Sequence, residues 1–269
     1  MIPKQIEKHG LTPKQITFSK HSIWKIARNY TKEAGVRQLE REIGNVCRKA
    51  AKEIFTTERK KIAVTDRNIH RFLGKEKYTY QMANIAAEVG IVRGLAWTSV
   101  GGDTLQIEVN VMPGKGELML TGQLGDVMKE SARTGISYIR SVSKKYAISP
   151  DFFEKHDIHV HIPEGAVPKD GPSAGITMAV AMLSAITERS QADLAMTGEV
   201  TLRGRVLPIG GLKEKLLAAK SAGIKTVLVP KANQADVEEL SAEITKGMEI
   251  LFVESMDEVL KAAMGRKRK

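Results

Sequence analysis

The sequence has 269 residues, of which 42% are hydrophobic and 27% charged, a composition typical of a folded globular protein. Cys47 is the only cysteine, which excludes an intramolecular disulfide and suits a reducing compartment such as the cytoplasm. The longest apolar stretch, GITMAVAMLSAI, is shorter than the ~20 residues that cross a bilayer, so we predict no membrane span. The chain does not start with basic residues followed by an apolar run, so we also predict no signal peptide.

The net charge of +11 comes entirely from the first part of the chain. Residues 1–77 contain 19 Lys and Arg against 8 Asp and Glu, whereas residues 78–269 contain 23 of each kind. This asymmetry predicts two domains with different surroundings. The basic domain could neutralise phosphates and bind DNA weakly and without sequence preference. Alternatively, its charges could be solvated or could face an acidic neighbour.

Residues 1–77 are predicted to form a small all-α helical bundle. Apolar residues recur at helical spacing in HSIWKIARNY and in GVRQLEREIGNVCRKAAKEIF. The segment TDRNIHRFLG starts with a capping residue and ends in Gly74, which we expect to be a helix C-cap. The chain opens at MIPKQIEKHG already in a helical pattern, which is typical of a piece of a longer protein.

Residues 78–269 are predicted to mix strands and helices around one apolar core, so the fold class of the whole chain is α+β. LQIEVNVM and DIHVHI alternate apolar and polar residues, as half-buried strands do. SYIRSVSKKYAI and the stretch after Ser173 have helical spacing, and EVTLRGRVLPIGG predicts a hairpin that turns at Arg203 and Gly204. KTVLVP is a predicted buried strand, DEVLKAAM a predicted last helix, and GRKRK a solvated tail.

The segment GPSAG contains Ser173 and fits the G-x-S-x-G pattern of a serine nucleophile. Pro172 suits the first turn of the helix that follows. A serine at that position lies near unpaired N–H groups, which favour an oxyanion. The pattern alone leaves two interpretations open, a nucleophile and a simple helix cap in a glycine-rich turn.

A nucleophilic Ser173 would need a base. All six histidines precede Ser173, which excludes the serine, acid, histidine order of the α/β-hydrolases. His159 and His161 share one face of a predicted strand, where we expect ordinary strand residues rather than a catalytic base. A lysine can serve instead if it is neutral, and burial makes a lysine neutral because desolvation lowers its pKa.

The helix predicted for GLKEKLLAAKSAG offers one such lysine. Its apolar stripe consists of Leu212, Leu216, Ala219 and Ala222. At ~100° per residue, Lys215 lies inside that stripe, whereas Lys213 and Lys220 lie beyond its edge. Lys215 is therefore the candidate base, unless its side chain extends out of the stripe to solvent.

Taken together, these motifs resemble the proteolytic domain of bacterial Lon proteases. PKDGPSAG is followed by TGEVTLRGRVLPIGGLKEKLLAA, and the similarity extends upstream through GLAWTSVGGD, PGKGELMLTGQLGDVMKES and DIHVHIPEGAVPKDG. YTKEAGVRQLEREIGNVCRKA resembles the small α-helical subdomain that ends the AAA+ module of this family. The resemblance implies that residues 1–77 are that subdomain and that residues 78–269 are a Lon-type α/β proteolytic domain.

The same resemblance implies a serine endopeptidase with a Ser-Lys dyad. Ser173 matches the nucleophile of the family, and Lys215 matches its general base. Thr197, in AMTGEV, matches a threonine that helps to position the lysine, although a threonine there could also be a turn former. Asp170 is adjacent to the nucleophile but stays outside the catalytic set. It could cap the following helix or, in an inactive state, compete for Lys215.

Arg37, in EAGVRQLE, matches the sensor arginine that reaches ATP in complete AAA+ proteins; in this chain it could equally be a solvent-facing charge. The sequence has no G-x-x-x-x-G-K-[ST] phosphate loop, so we expect no cofactor and no metal here, and ATP with Mg only in the complete protein. The family implies a cytoplasmic homohexamer that degrades misfolded and regulatory polypeptides with ATP. This chain alone is expected to cut only small or unstructured peptides. The alternative is a catalytically silent assembly or DNA-binding module that uses the basic bundle.

Overall fold

The computed structural model describes residues 1–33, 35–78, 88–98, 100–163, 168–189 and 194–264. The chain separates into two compact units, Met1–Gln81 and Met82–Lys269. Each unit has its own buried apolar core. In the part of the chain that is described, no helix is both long and apolar enough to cross a membrane.

The first unit combines helices with one small sheet. Its helices are α1 (Ile2–Lys8), α2 (Lys20–Asn29), α3 (Arg37–Thr56) and α4 (Ile69–Leu73). Strands β1 (Ile16–Phe18) and β2 (Ile62–Val64) pair in parallel. The α+β class of the chain is confirmed, but the prediction that this unit is all-α is wrong. Strands of three residues are too short to show an alternating pattern, and their pairing joins segments that are far apart in the sequence.

The predicted helices of this unit begin and end for local reasons. Ser19 caps α2, where its Oγ accepts a hydrogen bond from the backbone N of Ser22 at 3.1 Å. Gly74 ends α4 with φ of 80°, a conformation that suits glycine, and this confirms the predicted C-cap. Cys47 is fully buried in α3, where burial raises the pKa of its thiol to about 11.

The second unit is built around a mixed sheet. Its strands are β3 (Ile91–Thr98), β4 (Gly101–Pro113), β5 (Leu118–Thr121), β6 (His156–His161), β7 (Ala195–Met196), β8 (Glu199–Val200), β9 (Val206–Leu207), β10 (Thr226–Pro230) and β11 (Glu249–Val253). Its helices are α5 (Asp126–Ser141), α6 (Phe152–Lys155), α7 (Gly175–Thr187), α8 (Leu212–Ser221), α9 (Gln234–Glu238), α10 (Ala242–Thr245) and α11 (Met256–Ala263). Short 3-10 turns cover Ser143–Tyr146, Pro172–Ala174 and Lys231–Asn233.

Seven of these strands form one sheet in the order β11-β10-β7-β3-β4-β6-β5. The β3–β4 and β4–β6 pairs are antiparallel and the other pairs are parallel. β8 and β9 form a separate antiparallel ribbon. The turn between them includes Gly204, as the sequence predicts, and this residue has φ of 73°.

The sheet carries an apolar core on each face, so the prediction of a single core is wrong. Successive residues of a strand point to opposite faces, and in β10 Leu228 joins one core whereas Val227 and Val229 join the other. Helices α5, α7 and α11 contribute to the first core, and α8 contributes to the second. A central strand is apolar on both faces, so its sequence does not show that two cores are present instead of one.

Helix α5 differs most from its prediction. It begins at Asp126, well before the predicted SYIRSVSKKYAI, and it ends at Ser141, where a 3-10 turn follows. The predicted tail GRKRK lies outside the described residues.

Candidate active site

The three residues that the sequence selects for catalysis come together at the ends of three elements. Ser173 lies in the 3-10 turn before α7, Thr197 directly follows β7, and Lys215 lies in the first part of α8. Lys215 Nζ donates a hydrogen bond to Thr197 Oγ1 at 3.2 Å. Thr197 Oγ1 in turn donates to the backbone carbonyl of Ser173 at 3.3 Å. The lysine is thus connected to the serine residue through one hydroxyl.

The segment that carries Thr197 is fixed by the sheet and by α7. The backbone N of Thr197 donates to Leu228 O in β10 at 3.2 Å, and the side chain is fully buried. Gly198 N donates to Ser173 O at 2.8 Å, and Ile176 N donates to Gly198 O at 3.1 Å. The Ser173 turn and the Thr197 segment therefore hold each other through backbone hydrogen bonds.

Both glycines of GPSAG are explained by the turn. Gly171 has φ of 119°, a region that other residues rarely adopt. A Cβ on Gly175 would lie 2.8 Å from Ser131 Oγ and 3.0 Å from Val200 N, so a larger residue where α7 begins would force its neighbours to shift. Ser131 Oγ also donates to Pro172 O at 3.3 Å. Ser173 itself is half-buried in this turn.

Asp170 caps α5 rather than the following helix. Its Oδ1 accepts hydrogen bonds from Met128 N at 3.0 Å and from Gly171 N at 2.8 Å. A Cβ on Gly125, the N-cap residue of α5, would overlap the Asp170 carboxyl carbon at 2.3 Å. The residue before the GPSAG turn is therefore tied to a helix that begins about forty positions earlier in the chain.

Lys215 is buried as the helical spacing predicts. Its exposed fraction is 2%, whereas Lys213 and Lys220 are exposed. The alternative, a side chain that extends to solvent, is therefore wrong. Burial lowers the pKa of Lys215 from 10.5 to about 8 because the ammonium loses its hydration. No carboxylate among the described residues forms an ion pair with it.

The hydroxyl of Ser173 forms no hydrogen bond with Lys215 Nζ among the described residues. The two side chains are connected only through Thr197 and the Ser173 carbonyl. Hydrogen bonds between a nucleophile and its base often tighten only when substrate is bound. The arrangement provides a half-buried hydroxyl, a desolvated amine and a threonine that orients the amine.

His159 and His161 lie elsewhere on the sheet. His159 Nε2 is 2.9 Å and His161 Nδ1 is 2.7 Å from Thr121 Oγ1, which is exposed at the end of β5. The prediction that they are strand residues is confirmed, since both lie in β6.

Arg37 is the first residue of α3, and its side chain is exposed. No group of three His, Cys, Asp or Glu residues could hold a metal ion among those that the structure describes.

Sequence reasoning did not identify Ser131 and Gly198 as parts of the site. Gly198 follows Thr197 directly in AMTGEV, so this motif could have identified Gly198 as a neighbour of the site. Ser131 gave no such signal, because its partner Pro172 is 41 residues away.

The comparisons with known proteins concern the two domains of the chain. Residues 63–266 match the domain described as the Lon protease (S16) C-terminal proteolytic domain, and residues 7–63 match the Lon protease AAA+ ATPase lid domain. The chain is 57% identical to the Lon protease of Lachnoclostridium phytofermentans over 98% of its own length and 38% of that protein. It is 53% identical to Lon protease 1 of Bacillus subtilis over 100% of its length and 35% of that protein.

The Lon protease of Clostridioides difficile is 54% identical over 98% of this chain and 34% of its own length. The chain therefore spans little more than a third of the curated relatives that it matches. On the evidence of both domain matches and of these identities, the chain belongs to the Lon protease family and carries its serine peptidase domain together with its AAA+ lid domain.

Proposed function

We propose that Ser173 is the nucleophile and Lys215 the general base of a Ser-Lys dyad that hydrolyses peptide bonds. The observation that carries this proposal is the burial of Lys215. This residue is 2% exposed, and its amine is hydrogen-bonded through Thr197 to the residue that bears the hydroxyl. A lysine can accept a proton only when it is neutral, and desolvation brings its pKa down to about 8.

Thr197 orients the amine through its own hydrogen bonds. Its hydroxyl proton is donated to the Ser173 carbonyl, so its oxygen faces Lys215 as an acceptor. A neutral amine that donates one proton to Thr197 keeps its lone pair for another partner. The dyad requires that lone pair to accept the proton of the Ser173 hydroxyl.

The reaction follows from these roles. Neutral Lys215 takes the hydroxyl proton as Ser173 Oγ attacks the peptide carbonyl, and backbone N–H groups near the start of α7 stabilise the oxyanion. The protonated amine then gives its proton to the leaving nitrogen, which leaves an acyl-enzyme on Ser173. Lys215 next takes a proton from water as the water oxygen attacks the acyl carbonyl. The bond to Ser173 Oγ then breaks, Lys215 returns the proton to that oxygen, and the product acid leaves.

For the complete protein, we propose ATP-dependent degradation of misfolded and regulatory polypeptides by a cytoplasmic homohexamer. The match of residues 7–63 to an AAA+ lid domain supports the dependence on ATP and Mg. Arg37 would contact the nucleotide only when the rest of the ATPase is present. This chain by itself should cut small or unstructured peptides.

A second candidate is a silent assembly module whose basic first unit binds DNA without sequence preference. The concentration of the whole net charge of +11 in residues 1–77 favours it. In this case DNA binding would weaken steeply with salt, and peptidase activity would be absent.

The test is cleavage of an unstructured fluorogenic peptide by this chain without ATP, beside the variants Ser173→Ala and Lys215→Ala. The dyad predicts that the parent cuts and that both variants lose nearly all activity. Equal activity in all three would overturn the assignment. If none cuts, failure of a peptide boronate to bind the parent at Ser173 would favour the silent module.

A further inference from the structure

A cavity of about 240 Å³ lies on the exposed face of α5, beside α6 and the first residues of β5 and β6. Neither Ser173, Thr197 nor Lys215 lines it. Its volume is below the ~300–1,000 Å³ of pockets for drug-sized ligands, so it suits a single amino-acid residue or a molecule of that size.

The cavity has unneutralised positive charge on its wall. Arg133 and Arg140 both line it from α5, and neither forms an ion pair in the described part of the chain. Nearby lysines do have partners, as in Lys129 with Asp126 at 3.2 Å. Two guanidinium groups that form no ion pair within the described ranges and face a single lining carboxylate, that of Glu117, leave the wall with excess positive charge. Such a wall favours an anionic ligand, and the fork of an arginine suits a carboxylate.

Two of the basic residues that line the cavity, Arg140 and His156, contact aromatic rings. The Arg140 guanidinium lies 5.0 Å from the ring centre of Phe153, which also lines the cavity. His156 stacks on Phe152 at 4.4 Å, and its Nδ1 donates to Phe152 O at 3.0 Å. That bond leaves Nε2 of His156 as the ring atom that can meet a ligand.

The rest of the lining is mainly apolar, with the side chains of Ser137 and Glu117 as its polar groups. Leu118, Ile136 and Ile158 form an apolar floor, and Glu117 contributes the only carboxylate of the cavity. An apolar floor disfavours a small, strongly hydrated anion such as inorganic phosphate. The lining therefore suits a ligand with three features. These are a carboxylate for the arginines, an apolar group for the floor, and an N–H group that donates to Glu117.

We propose that this cavity binds the C-terminal residue of a polypeptide when that residue has an apolar side chain. The α-carboxylate meets Arg133 and Arg140, the amide N–H of the same residue meets Glu117, and the side chain lies on the apolar floor. The site is separate from the Ser173 chemistry, so it stands or falls independently of the proposed function.

The test uses N-acetyl-L-leucine as the probe for the complete 269-residue chain, with binding followed by saturation-transfer NMR. A ligand of this size is expected to bind with Kd of about 1 mM. Arg133→Gln and Arg140→Gln should each weaken binding at least about tenfold, by loss of a charged hydrogen bond. Lys129→Gln, on the same helix but outside the cavity, should change Kd less than about twofold.

Three further ligands sharpen the test. N-acetyl-L-leucinamide lacks the carboxylate and should not bind, and a pentapeptide that ends in free Leu should bind like the probe. Inorganic phosphate should not compete. The proposal is overturned if the parent does not bind the probe, if the amide binds equally, if only the free acid and not the peptide binds, or if phosphate displaces the probe.

Discussion

Two threonines of the peptidase domain contact basic side chains, one in a buried environment and the other in an exposed one. Thr197 is fully buried and accepts a hydrogen bond from Lys215 at 3.2 Å. Thr121 is exposed and contacts His159 and His161 at 2.9 and 2.7 Å. Histidine is the usual base near neutral pH, yet here it is the buried lysine that is connected to the candidate nucleophile. The two histidines contact Thr121 and not the Ser173 turn, so position and burial together distinguish Lys215 from them.

The largest expected effect is a loss of peptidase activity, which should be large for a change at Lys215 and small for one at Lys213 on the same helix. Lys215→Met should reduce kcat/KM for a fluorogenic peptide by about 10³-fold or more, since it removes the base from a dyad that acts as a unit. Lys213→Met, exposed two residues away, should stay within about twofold. Equal losses in both variants would show that the helix, and not the buried amine, matters.

The second effect concerns stability. Lys215→Met is expected to increase the stability of the protein, although it reduces activity. Because the folded pKa of Lys215 is about 8 against 10.5 when exposed, keeping this lysine costs about 3 kcal/mol below pH 8. This cost shrinks as pH rises from about 8 to 10.5, where the unfolded chain also loses the proton. Lys215→Met should therefore raise the free energy of unfolding at pH 7 by up to about 3 kcal/mol, and much less at pH 10.5.

Urea denaturation at the two pH values measures that difference. A Lys215→Met variant that is equally stable to the parent at pH 7, or less stable, would mean that the buried amine carries no desolvation cost. Lys213→Met again serves as the control, with an expected change within about 0.5 kcal/mol.

The third effect compares the two threonines directly. Thr197→Val keeps the shape but removes the hydroxyl that orients Lys215, and should lower kcat/KM about tenfold to a hundredfold. Thr121→Val removes the partner of the two histidines and should leave peptide cleavage within about twofold. If the two variants lose activity to the same extent, Thr197 has no special role in orienting the amine.

The smallest effect concerns the support of the Ser173 turn. Asp170→Ala should lower the stability by about 1 kcal/mol, because α5 loses the side chain that accepts from Met128 N. Thermal unfolding should shift by about 2–4 °C. Asp126→Ala, whose side chain is 95% exposed in the first turn of the same helix, is the matched control and should shift less. Identical shifts would argue against a capping role for Asp170.

Sequence patterns predicted the parts of this site that depend on local spacing. The apolar stripe of α8 predicted the burial of Lys215 correctly, because a helix repeats every 3.6 residues whatever surrounds it. The hairpin at Gly204 was likewise predictable from the preference of its turn. In both cases the information lies within about ten residues of the chain.

The remaining features depend on partners far away in the sequence. The bond from Asp170 to Met128 spans 42 residues, and the parallel pairing of β1 with β2 spans a similar distance. The second apolar core was also missed, since one apolar strand can contribute to both faces of a sheet. The boundary between residues 77 and 78 and the catalytic roles of Ser173, Lys215 and Thr197 remain predictions.

The most direct test of the dyad is the rate at which a fluorophosphonate labels this chain as a function of pH, with the adduct located by mass spectrometry. The account predicts one adduct, on Ser173, with a rate that rises about tenfold per pH unit and levels off near pH 8, where Lys215 becomes neutral. Lys215→Met should label very slowly at every pH. An adduct on another residue, or unchanged labelling in Lys215→Met, would contradict the account.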